Sequence, residues 1–358
     1  MDAAIVSLGS KSSEWTYERM QEHFDSVTSL DIRKIEVNLG KDAKVLYEGK
    51  PLGNFDCIYA KGSFKYAPLL RSFTTLRVAQ SYMPIKANAF TIGHNKLLTQ
   101  LKLQRAGIPT PQTYISSSVE AAKKLLMNIN YPIIMKFPEG TQGKGVMYAD
   151  SYASASSVLD ALSSLKQPFL IQEYIETGGS DIRAIVVGDK VVASMQRIAH
   201  EGEKRANIHA GGSGEPIELD SVTKKIAVKT AQAMGCDICA VDILENAKGP
   251  LVIEINLSPG LQGITQATKI DVAGHIAEYL AKKTRAFKEL DTSNNKHRIM
   301  KDLGLAIDTN SEQEIIINTD MRGNRILLPE LVTRICSVDD KDELVLTVSK
   351  GKIIIKKL

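Results

Sequence analysis

Two apolar runs, Ile238 to Leu244 and Leu251 to Ile255, constrain this fold more than any other feature of the chain. The turn-forming residues Asn246, Lys248, Gly249 and Pro250 separate them, so they read as an antiparallel hairpin. Side chains alternate along a strand, which puts Val252, Glu254 and Asn256 on one face and Leu251, Ile253 and Ile255 on the other. With the turn centred near Lys248, Asp242 falls opposite Glu254. Like charges directly opposite in a sheet repel, and the pair is a poor choice unless a cation sits between them. Two carboxylates and an amide suit a hard ion such as Mg2+ or Mn2+, held jointly with substrate phosphates. The bland alternative is a solvated polar face.

The surrounding pattern is α/β. Asp2 to Leu8 reads as a buried strand, Trp15 to Phe24 as a helix, and Ile32 to Val37 and Cys57 to Ala60 as further short apolar segments of a domain spanning residues 1–89. A helix showing Leu97, Leu98, Leu101 and Leu103 stops at Gly107, and the prolines of Ile-Pro-Thr-Pro mark a crossing into the next region. Ser117 and Glu120 have capping-box spacing ahead of another helix, followed by a strand over 132–137. The helix Ser221 to Met234 precedes the hairpin and Val272 to Lys283 follows it. Residues 90–285 therefore form a second region, 286–314 a polar linker, and 315–358 a small strand-rich unit.

Three further segments carry candidate chemistry. The loop Glu139 to Val146, EGTQGKGV, follows the strand ending in Met135, Lys136 and Phe137. Gly140, Gly143 and Gly145 let backbone N–H groups approach phosphate oxygens, and Lys144 adds positive charge. Lys136, inside an apolar strand, must direct its ammonium to an anion or incur desolvation. At the exit of the strand Phe169 to Gln172, the backbone near Glu173 and Tyr174 is placed to pair with adenine and Asp181 to bind ribose hydroxyls. Arg197, Lys204, Arg205 and Asn207 cluster before His209-Ala210-Gly211-Gly212 and present donors for a phosphate or carboxylate; alone, such charges more often form a solvated face.

Taken in order, HNKLLTQLKLQRAGIPTP, EGTQGKGV, QEYIETGGSDIRAIVVGDKVVASMQR, RANIHAGG, AVDIL and GPLVIEINLSPGLQGI make residues 93–284 resemble the RimK-type glutamate ligases of the ATP-grasp superfamily. The resemblance implies an ATP-grasp fold preceded by an α/β domain. It implies that Lys96 and Lys136 contact ATP phosphates under the loop containing Gly143, Lys144 and Gly145. Glu173 and Tyr174 match the adenine hinge, Asp181 the ribose contact, Arg205, Ala206 and Asn207 a nucleotide-contacting tripeptide, and Asp242, Glu254 and Asn256 the metal ligands. Arg183, Arg197 and the turn Ser258-Pro259-Gly260 fall where a substrate carboxylate is expected, and Arg183, Arg197, Arg205 and Asn256 are the catalytic candidates. The implied reaction makes an acyl phosphate with ATP and Mg2+ and joins it to an amine, glutamate being the amino acid and a protein tail or small molecule the acceptor. An amino-acid-carrier ligase of the lysine-biosynthesis kind is the alternative. Lys204-Arg205-Ala206-Asn207 and His209-Ala210-Gly211-Gly212 depart from the family's usual Phe-Arg-Ser-Asn and His-Arg-Gly-Gly, which leaves the acceptor open.

Residues 322–358, RGNRILLPELVTRICSVDDKDELVLTVSKGKIIIKKL, resemble an AbrB-type swapped-hairpin domain. That resemblance implies a homo-oligomer through the C-terminal unit, with DNA binding by Arg322, Arg325 and Arg334 as a second role. Residues 286–358 hold twelve Lys/Arg and twelve Asp/Glu, so bulk charge favours assembly over phosphate binding. The whole chain, at +4 from 45 basic and 41 acidic residues, has no long basic tract directed at nucleic acid or membrane. No apolar stretch approaches a membrane span, and a cytoplasmic enzyme is the expectation. Four cysteines are too few for a disulfide framework, and Cys236 and Cys239, a CxxC pair without further ligands, read as packed thiols.

Overall fold

Ala3, Ala4, Ile5 and Val6 are all buried, as a central strand covered on both faces requires. They belong to β1 (Asp2–Ser7), the middle of a parallel sheet. The computed structural model describes residues 1–116, 118–138, 145–164, 168–199, 213–247, 249–302, 320–322, 325–327, 342, 344–349 and 352–357. The chain divides into two units, Met1–Asn295 and Lys296–Leu358.

Helix α1 (Lys11–Met20) begins four residues before Trp15 because the Ser10 side chain accepts from Ser13 N and caps it there. Next come β2 (Ser26–Asp31), β3 (Ile35–Asn38), β4 (Lys44–Tyr47), β5 (Lys50–Pro51) and β6 (Cys57–Ala60). The parallel sheet runs β2-β1-β6, and β3-β4-β5 form a small antiparallel sheet beside it. Helices α2 (Ala67–Arg77), α3 (Ala87–Gly93) and α4 (Lys96–Arg105) lead out of this region, α4 capped by Asn95.

A second sheet, in the order β7-β10-β8-β9, contains β7 (Thr113–Tyr114), β8 (Ile133–Lys136), β9 (Val146–Ala149) and β10 (Leu170–Glu173). Helices α5 (Val119–Leu126) and α6 (Tyr152–Ser164) complete it, their Leu126 and Leu159 buried in one cluster with Ile133, Met135 and Ile171. The cap of α5 is Ser118, whose Oγ accepts from Ala121 N at 3.1 Å, one residue beyond the expected Ser117.

The five-stranded antiparallel sheet β13-β12-β11-β14-β15 is built from β11 (Ser180–Val187), β12 (Lys190–Ile198), β13 (Ser213–Pro216), β14 (Ile238–Asn246) and β15 (Gly249–Asn256). Helix α7 (Ser221–Met234) packs on it, ending in left-handed Gly235. Asp242 does pair with Glu254, but through a bulge: Ile243 pairs with Val252, leaving Ile253 as the extra residue. The bulge corrects the expected alternation. Val252 and Ile255 are buried with Ile243 and Val241, whereas Glu254 lies on the other face with Asp242, so Val252 and Glu254 do not share one.

After α8 (Gln262–Thr268), helix α9 (Val272–Asp302) runs 31 residues. It continues past Lys283 into the stretch read as a linker from residue 286, since no glycine or proline interrupts Ala286 to Asp302. In the second unit, β16 (Asp320–Arg322) pairs with β17 (Arg325–Leu327), and β18 (Leu344–Ser349) with β19 (Lys352–Lys357). The strand expected over 315–318 lies outside the described residues. Among the described residues, no helix is long and apolar enough to cross a membrane.

Candidate active site

Register in the five-stranded sheet brings four charged side chains to one face. Arg183 pairs with Asp242 across β11 and β14, and Asp181 with Arg197 across β11 and β12. The Arg183 fork grips Asp242, with Nε to Oδ1 at 2.8 Å and Nη2 to Oδ2 at 2.7 Å. Arg197 donates from Nε and Nη2 to the two oxygens of Asp181, each at 2.6 Å, and its Nη2 also lies 2.9 Å from Asp242 Oδ2. Burial alone would raise the Asp242 carboxyl, but the two guanidinium groups outweigh it and hold it well below the usual range. Asp242 is therefore an anion in the folded chain. Asp181, expected at a ribose, has both oxygens engaged by Arg197, and Arg183 and Arg197, expected at a substrate carboxylate, are engaged by carboxylates of the protein.

Glu254 faces Asp242 and accepts no hydrogen bond from a described residue. Burial, then the Asp242 charge, raises its carboxyl, while Lys96, Lys136 and Arg183 pull it down. Those influences place Lys96 and Lys136 around the same point as the acidic pair. Ammonium Nζ of Lys136 donates to Gln172 Oε1 at 2.6 Å, and Gln172 Nε2 donates to Thr113 Oγ1 at 2.8 Å. Burial pushes the Lys136 ammonium down to about 8. The sequence reading missed this Gln172–Thr113 relay; its one signal was a polar residue inside an apolar strand.

At the mouth of the glycine-rich loop, Lys96 N donates to Pro138 O at 2.9 Å and Phe137 N to Gly145 O at 3.2 Å. Gly145 has a φ of +76°, which glycine adopts without strain. At the expected adenine hinge, Glu173 Oε1 accepts from Gln112 N at 2.8 Å, and the Tyr174 ring meets Tyr148 edge-on with centroids 5.3 Å apart. Gly143, Lys144, Arg205, Ala206 and Asn207 lie outside the described residues. Asn256 pairs with Ala240 at the end of β15, and its Oδ1 accepts from Ser258 N at 3.1 Å.

The donor set fits a hard divalent cation. Asp242 and Glu254 are opposed carboxylates, and Glu254 is unclaimed by any described donor. A carboxylate offers roughly four acceptor positions, so the contacts Asp242 makes with the two arginines leave room for one more.

Residues 93–280 match the model of the RimK-like ATP-grasp domain. A probable alpha-L-glutamate ligase of Thioalkalivibrio sulfidiphilus is 37% identical over 295 residues, covering 80% of this chain and 97% of the relative. A probable alpha-L-glutamate ligase of Vibrio cholerae is 37% identical over 278 residues, covering 76% and 91%. Among solved structures, the ATP-grasp ligase PsnB complexed with minimal precursor, Mg and ADP superposes with a TM-score of 0.61 at 18% identity, over 79% of this chain and 98% of that one. A RimK domain ATP-grasp protein from Sphaerobacter thermophilus gives 0.61 at 19% identity, over 78% and 99%. The chain belongs to the RimK-like ATP-grasp family and is an ATP-dependent ligase.

Proposed function

We propose that this ligase joins the amino group of glutamate to a carboxylate of an acceptor that ATP has first activated as an acyl phosphate. The observation that carries the reading is the opposed Asp242–Glu254 pair with Lys136 and Lys96 around it. An acceptor carboxylate oxygen attacks the γ-phosphorus and ADP leaves; the amine then attacks the acyl carbon and inorganic phosphate leaves. The step asks for positioning and charge neutralisation rather than a nucleophilic side chain. Lys136 and Lys96 draw the phosphates. Asp242, Glu254 and Asn256 would hold Mg2+, which when bound neutralises charge on the transferred phosphoryl group. Arg183 and Arg197 fix the Asp242 carboxylate in its ionised form. The names of the curated relatives support glutamate as the amino acid.

In an assay of amine-dependent ADP release, Asp242→Ala and Glu254→Ala each abolish turnover. Full activity of both variants sinks the reading, and a strict requirement for another amino acid rejects glutamate.

For the second unit we infer an assembly role. The hairpin β18–β19 exposes Leu344, Val345, Leu346, Val348, Ile354 and Ile355, and two isolated strands are at best marginally stable in water. Pairing with a second copy would cover that surface. The ATP requirement and the buried free thiols Cys57, Cys236 and Cys239 fit a cytoplasmic setting.

A further inference from the structure

Strand β6 ends at Ala60, and the next residue, Lys61, is only 4% exposed. Its ammonium makes neither an ion pair nor a hydrogen bond with any described residue, and its one charge-directed contact is the Tyr59 ring, 5.6 Å from Nζ to centroid. Burial, unopposed by any acidic neighbour, pushes it down to about 8. A lysine so placed either gives up its proton or receives an anion that the described residues do not supply.

The position of Lys61 indicates which anion. It stands at the carboxyl end of a parallel strand, the edge where open α/β sheets bind ligands. The following residue is fastened to the loop after β15: Gly62 N donates to Ser258 Oγ at 2.9 Å, and Ser258 Oγ donates to Gly62 O at 3.0 Å. Nearby, Leu261 N donates to Ser12 Oγ at 2.8 Å, so the start of α1 meets the same loop. Ser258 is in turn bonded to Asn256, beside the acidic pair. Phosphate charge already has Lys96 and Lys136, whereas Arg183 and Arg197 are engaged with Asp242 and Asp181. Among the described residues a substrate carboxylate therefore still lacks its cation, and Lys61 is a buried cation without an anion there.

We propose that Lys61 binds a substrate carboxylate at the seam between the end of β6 and the loop Leu257 to Leu261. This rests on the ligase reading, which leaves two sources for the carboxylate: the amino acid or the acceptor. Isothermal titration in the presence of ADP and Mg2+ separates them, with L-glutamate as one probe and N-acetyl-L-glutamate, which lacks the reactive amine, as the other. In Lys61→Met the Kd of at least one probe rises by about tenfold or more, the scale of one charge-assisted hydrogen bond, and Lys61→Arg recovers most of it. The Kd for ADP does not rise and the thermal midpoint does not fall with either substitution, because the removed charge had no partner among the described residues. Unchanged affinity for both probes in Lys61→Met overturns the proposal, as does failure of both probes to bind the parent at millimolar concentration or a matching loss of ADP affinity. Lys61-dependent binding without any amine-dependent ADP release leaves the anchor standing and removes the ligase reading instead.

Discussion

Arg197 bridges two buried carboxylates, and removing it strands Asp181, while Asp242 keeps the Arg183 fork. Its side chain and those of Asp181 and Asp242 are each no more than a tenth exposed, so the network sits where water cannot replace a lost partner. Arg197→Met is expected to destabilise the chain by about 3–5 kcal/mol in urea denaturation, the cost typical of an orphaned buried charge. Adding Asp181→Leu should recover a large part of that, because the second substitution removes the orphan. Equal stability of Arg197→Met and the parent would show that the pair carries no structural weight. The residue types were legible in the sequence: Asp242 and Glu254 stood out as opposed charges in an apolar hairpin, Asp181 and Arg197 as polar candidates near it, and Arg183 through the family resemblance. Their partners were not. Asp181 and Arg197 are sixteen residues apart, Arg183 and Asp242 fifty-nine, and only strand register decides which charge meets which.

The hairpin of β14 and β15 was visible from its apolar runs and turn, and a turn centred at Lys248 was expected to set Asp242 opposite Glu254; the register beside the turn pairs Asn246 with Gly249 instead, and the bulge restores that opposition. The bulge at Ile253 was not visible, because a single extra residue leaves no mark on an alternating pattern this short. It nonetheless decides that Val252 enters the core while Glu254 faces Asp242. The loop after β8 shows the opposite case, in which a glycine pattern reports a real backbone need. At Gly145, φ is +76° and a Cβ would lie 2.2 Å from Phe137 Cδ2. Gly145→Ala meets roughly 1–2 kcal/mol of left-handed strain and must also displace that ring. The expected outcome in steady-state kinetics is a KM for ATP raised about tenfold, the equivalent of 1.4 kcal/mol, with kcat less affected. An unchanged KM would mean that the loop's entry into β9 does not shape the nucleotide site.

At the scale of the chain, deleting Ile315 to Leu358 should lower the mass measured by light scattering while the remaining protein still binds ATP. Retention of the parent's mass removes the assembly role; steeply salt-dependent binding of duplex DNA that Arg322 and Arg325 control favours the nucleic-acid role instead. The order of motifs from residue 93 to 284 was enough to place the chain in its family and to name the acidic pair, because strand period and turn chemistry are local and each motif carries its own signal. What only the tertiary structure decided is how those charges are used. Non-local register binds Arg183 and Arg197 to Asp242 and Asp181, and the contact of Gly62 with Ser258, 196 residues away, brings Lys61 to the edge of the site. Sequence periodicity reports which face a side chain takes; it carries no information on which distant element covers that face, and burial without a partner, the property that singles out Lys61, exists only once the chain has folded.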